Sequence, residues 1–137
     1  MWWIFALLSA VFASLTAILS KVGIKGVDTH LAIAIRTSVI LVLAWGMVFF
    51  GGNKTEITHI TKANWLFLLL SGLTTGLSWI FYFKALQAGK LMQVAPIDKL
   101  SLALTILLSA IFLGEALTIK TAIATLLIIA GTMVLMV

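Results

Sequence analysis

Long apolar runs separated by short polar breaks make up almost the whole chain, and they predict five helices at about 2–21, 31–50, 65–87, 93–113 and 118–137. Each run reaches the roughly 18 residues needed to cross a hydrocarbon core of about 30 Å. The runs lack the alternation of barrel strands, and lipid offers no partner to open backbone groups, so helices are the expected spanning form. The expected fold class is therefore an all-α integral membrane protein with five spans.

Within the runs, the polar and small residues fall on faces. In the first span, Ala6, Ala10, Ala13 and Ala17 recur at steps of three and four, a smooth face suited to close helix contact. The second holds Arg36 and ends at Gly51-Gly52. The third carries Ser71, Thr74, Thr75, Ser78 and Tyr82 along one side, beside Gly72-x-x-x-Gly76; Thr61 or Asn64 is placed to cap it. In the fourth, Pro96 lies in the first turn, where a missing N–H costs little, and Asp98, Ser101, Thr105 and Ser109 form one polar stripe. The fifth has no charge after Lys120, and Thr121, Thr125 and Thr132 mark a mildly polar face.

Composition strengthens the membrane reading. Of the 137 residues, 63% are hydrophobic and 9% charged, where a soluble domain carries about a quarter charged residues. The net charge of +5 comes from basic residues scattered singly at the ends of the runs, which points to lipid headgroups and topology and away from nucleic acid. The absence of cysteine excludes disulfide and thiolate chemistry. His30 and His59 lie in separate connections without ligand spacing, so neither a metal nor a cofactor is expected. The chain starts Met-Trp-Trp with no basic residue before the first run, so that run is expected to be an uncleaved span.

An odd number of spans puts the N-terminus and the second and fourth connections on one side of the membrane. Lys54, Lys62, Lys120 and the α-amino group lie there, against Lys21, Lys25, Lys84 and Lys90 on the other. The balance of four against four leaves the positive-inside rule without a preference. Two readings stay open: a single topology with a small bias, or insertion in both directions with antiparallel pairing of two copies.

The end of the third span carries Ala85-Leu86-x-x-Gly89, the fourth opens with Ala95-Pro96 and closes with Leu113-Gly114-Glu115, and the fifth holds the run Leu127 to Gly131. In these features the chain resembles the EamA-type family of the drug/metabolite transporter superfamily, and the version from Ala95 to Ser101 is most similar to its short five-span members. The resemblance covers residues 65–137 most strongly. It implies one half of a ten-helix inverted-repeat transporter, completed by a second copy, and a transport role in a prokaryotic inner membrane. Pro96, Gly114 and Glu115 are then structural motif positions, with Glu115 set against Lys120 or the amides that open the last span.

Four charged groups stand at similar depth near one membrane boundary: Arg36, Lys84, Asp98 and Lys99. Lysines so placed commonly snorkel to the headgroups. Asp98 has too short a stem for that, and is expected to pair with Arg36, Lys84 or nearby backbone, as a brace or as part of a site. The functional reading makes these groups the polar rim of a cavity, lined by Ser71, Thr75, Ser78, Trp79 and Tyr82 from the third span and by Ser101 and Thr105 from the fourth, and favouring anionic or zwitterionic solutes. The alternative for the hydroxyls is helix–helix hydrogen bonding. No catalytic arrangement is legible, so no enzyme is expected. The expected function is secondary transport of a small polar metabolite by alternating access in a homodimer surrounded by lipid. Its rivals are a flippase subunit for a lipid-linked carrier and a non-transporting assembly subunit. Cationic-drug antiport of the small multidrug type is disfavoured, because the first span has no acid.

Overall fold

In the computed structural model, residues 1–51 and 60–136 are described, and every regular element among them is a helix. The order is α1 (Trp2–Gly23), α2 (Thr29–Phe50), α3 (Lys62–Ala88), α4 (Leu91–Asp98), α5 (Leu100–Phe112) and α6 (Ile119–Val134). Lys54, His59 and the terminal Val137 of the last expected span lie outside the described residues. Helices α1, α2, α3 and the α4–α5 pair are each long and apolar enough to cross a membrane, and α6 is a shorter apolar helix. This is the five-helix membrane protein that the apolar runs predict.

The chain divides into two compact units, Leu19–Gln87 and Met1–Ile18 with Ala88–Val137. In the first, α1 ends where Gly26 turns the chain at φ +72°, in the left-handed region that a Cβ disfavours. Asp28 then caps α2, its carboxylate accepting from the N–H groups of His30 at 2.9 Å and Leu31 at 3.1 Å. The cap starts α2 at Thr29, two residues before the first apolar position. Thr61, and not Asn64, caps α3: its hydroxyl accepts from the Asn64 N–H at 3.2 Å.

In the second unit, the fourth span is two helices. Pro96 is the sixth residue of α4 and lies past the first turn where it was expected. Its ring nitrogen has no hydrogen for the Met92 carbonyl, and the ring crowds that carbonyl. Tighter i−3 bonds follow, from the Lys99 N–H to the Pro96 carbonyl and from the Leu102 N–H to the Lys99 carbonyl, both at 3.0 Å. The helix breaks just past the proline, at Asp98–Lys99, and resumes as α5.

Small residues mediate the contact of α5 with α6. Ala103 is buried, and so are Thr125 and Thr132. Both threonines donate to carbonyls four residues back, Thr121 and Ile128, at 2.7 Å, so their methyl groups pack while the hydroxyls stay satisfied. Between these helices Gly114 takes φ +67°. Thr118 then opens α6 with a reciprocal capping box to Thr121.

Two other expected contact faces are largely open, each within its own unit and among the described residues. Ala6, Ala10 and Ala13 are exposed and Ala17 is half-buried, and among the described residues a methyl group added at Gly72 or Gly76 would meet nothing within 4 Å. Among the described residues of its unit, the Gly72-x-x-x-Gly76 pair is therefore not a close-packing point between helices.

Candidate functional site

Where α1, α2 and α3 meet at one end of the first unit, the polar groups form a connected layer. The Lys21 ammonium donates to the Leu86 carbonyl, one of the carbonyls that the C-terminal turn of α3 leaves without an intrahelical donor. A cation also suits the negative end of that helix dipole. Thr29 donates through its hydroxyl to the Gln87 side-chain oxygen at 2.6 Å, and the Gln87 amide donates to the Val27 carbonyl at 2.9 Å. Ile24, Thr29, Phe83 and Leu86 are buried around these bonds. The first connection is thereby fastened to the end of α3, on the side of the membrane that the alternation of spans requires.

Arg36 stands seven residues beyond Thr29, roughly 10 Å deeper along α2 at 1.5 Å per residue. Its guanidinium carbon lies 4.5 Å from the centroid of Trp79 and 5.6 Å from that of Phe83. Trp79 and Phe83 are four residues apart on α3 and so share a face. Tyr82 meets Phe83 edge-on at 6.3 Å. An arginine over an aromatic face gains about 0.5–2 kcal/mol, the upper figure applying away from water. Among the described residues of this unit, no carboxylate pairs with Arg36.

The remaining candidates divide between the two units. In the first, Lys84 is exposed next to Phe83, and Ser71, Thr75 and Ser78 are exposed along α3. Thr75 donates to the Ser71 carbonyl at 2.8 Å, and Thr74 donates to the Leu70 and Ser71 carbonyls. In the second unit, Thr105 donates to the Ser101 carbonyl at 2.8 Å. These threonine hydroxyls are thus satisfied within their own helices. Asp98 forms an ion pair with the adjacent Lys99, at 3.7 Å. Both side chains are well exposed, so the pair contributes little stability. Its position follows from the helix break, which sets Lys99 at the junction of α4 and α5.

Glu115 also departs from expectation. Thr118 and Thr121 cap α6, and among the described residues the Glu115 carboxylate pairs with no cation; the Glu115 N–H turns back to the Ser109 carbonyl at 3.4 Å. Sequence reasoning missed Phe83, Thr29 and the Lys21–Leu86 and Gln87–Val27 contacts. Phe83 had a local signal, its i+4 spacing from Trp79. The others depend on which helix ends meet.

Comparison with known proteins agrees with this architecture. The sequence profile described as the EamA-like transporter family matches residues 1–137. A Sinorhizobium protein described as "Uncharacterized transporter in cobO 3'region" is 43% identical over 134 residues, covering 98% of this chain and 95% of that protein. No solved structure matches the chain.

Proposed function

The chain belongs to the EamA-like transporter family, and on that premise we propose that it is a secondary transporter moving a small polar metabolite by alternating access as a homodimer. The family points to transport and not to catalysis. The observation that carries the reading is membership over residues 1–137 in a chain with four helices of spanning length and one shorter apolar helix. Many transporters alternate access by moving two inverted halves about a midplane site. A five-span unit supplies one half, and a second copy inserted the opposite way supplies the other. The even division of basic residues between the two sides suits insertion in both directions. The open alanine face of α1 and the open Gly72–Gly76 face of α3 are surfaces such a copy can cover. A prokaryotic inner membrane is the proposed location, consistent with the Sinorhizobium relative.

The test is reconstitution of the purified protein alone into sealed liposomes. The expected result is saturable counterflow of a small polar metabolite from a screened panel, with the protein running as a dimer. A correctly folded dimer that moves no solute from the panel would overturn the reading in favour of an assembly subunit.

A further inference from the structure

We infer that Arg36, seated over Trp79 and Phe83, binds an oxyanion of the transported solute, a carboxylate or a phosphate; this rests on the transport reading and names its substrate class. The argument begins with what the other polar groups at this end of the unit already do. Lys21 donates to the Leu86 carbonyl, Thr29 to Gln87, and Gln87 to Val27. Arg36 differs from them. Its charge lies over two rings, and aromatic rings give its five N–H donors no lone-pair acceptor of ordinary strength. Within its unit no described carboxylate meets it. Arg36 is half-buried, and among the described residues no buried side-chain nitrogen or oxygen lacks a partner.

Depth makes this arrangement informative. An arginine at a span end snorkels to the headgroups, yet this one is held against α3 roughly 10 Å into α2. Charged groups at such depth face a protein interior or a water-filled path. The acceptor class follows from shape. A guanidinium presents paired N–H donors that match the paired oxygens of a carboxylate or phosphate, whereas a lysine ammonium offers only a point charge. The excess of nine basic over four acidic residues favours an anion's approach.

Emission from Trp79, 4.5 Å from the guanidinium, reports binding in the full chain. The protein is placed in phosphatidylcholine nanodiscs and titrated with inorganic phosphate and with succinate, and a parallel set of discs contains phosphatidate. Trp79→Phe subtracts the signal of the other tryptophans. Wild type and Lys25→Gln, which removes an exposed charge outside the cluster, are expected to show the same saturable change. Arg36→Lys, which keeps the charge, and Arg36→Gln are expected to need at least tenfold more ligand. If Arg36→Gln fails to fold, Arg36→Lys decides alone. Saturation by the soluble anions assigns a free solute, and saturation by phosphatidate alone assigns a lipid headgroup; either supports oxyanion recognition. The inference is overturned if no probe saturates in wild type, or if the folded Arg36 variants saturate at wild-type concentrations. Anion binding without transport in liposomes would defeat the transport reading alone. Transport unaffected by Arg36→Gln would defeat this inference alone.

Discussion

Gly114 is the residue whose role is best explained by one angle. At φ +67° it occupies a conformation that costs another residue about 1–2 kcal/mol, and it lies in open space where a methyl group would touch nothing within 4 Å. Gly114→Ala is therefore expected to lower stability by about 1 kcal/mol through backbone strain alone. Gly72→Ala, with the same open space and ordinary helical backbone, should leave the single chain as stable or slightly more so. Denaturant titrations of both variants in detergent micelles check the pair, and equal losses would contradict the assignment. Lys21 is different in kind, because its ammonium closes the end of α3. Lys21→Met keeps the stem and removes the donor, and is expected to cost about 1–3 kcal/mol, as for a hydrogen bond from a charged group.

At the scale of elements, the division of the fourth span is the main departure from a simple reading of the apolar runs. Proline at the sixth position removes a backbone bond and crowds the preceding turn, where at the first position it would do neither. Pro96→Ala is expected to restore the bond to the Met92 carbonyl, join α4 to α5, and slow amide hydrogen exchange from Lys99 to Leu102 at least tenfold. Unchanged exchange would mean that the break has another cause. The start of α6 depends on its cap in the same local way. Thr118→Ala removes the hydroxyl side of the capping box and should destabilise the protein by about 1 kcal/mol.

For the whole molecule, the proposed antiparallel dimer is a claim about insertion, which the absence of cysteine makes convenient to test. A single cysteine at Lys62, the first residue of α3, is expected to react with an impermeant reagent from both faces of intact membrane vesicles. Labelling from one face only would establish a single topology and remove the antiparallel dimer. The length of α6 belongs to the same scale. Its 16 residues extend about 24 Å at 1.5 Å per residue, short of a hydrocarbon core of about 30 Å.

The features that depend on near neighbours in the chain were legible from the sequence alone. Apolar runs of spanning length determine the membrane class and the five helices, because in lipid the backbone must satisfy its own hydrogen bonds. Gly114 at the turn before α6 and Thr61 before α3 follow from equally local chemistry, and so does the Asp28 cap, whose signal was present though unread. The tertiary structure decided the pairings. It set Lys21 and Gln87 against helix-end carbonyl and loop backbone, and laid Arg36 over Trp79 and Phe83. Periodicity states which residues share a helix face, but not how far two helices are offset along their axes. That offset decides whether a cation meets a carboxylate, a carbonyl or a ring, and here it is set by the joint packing of helix ends and connection.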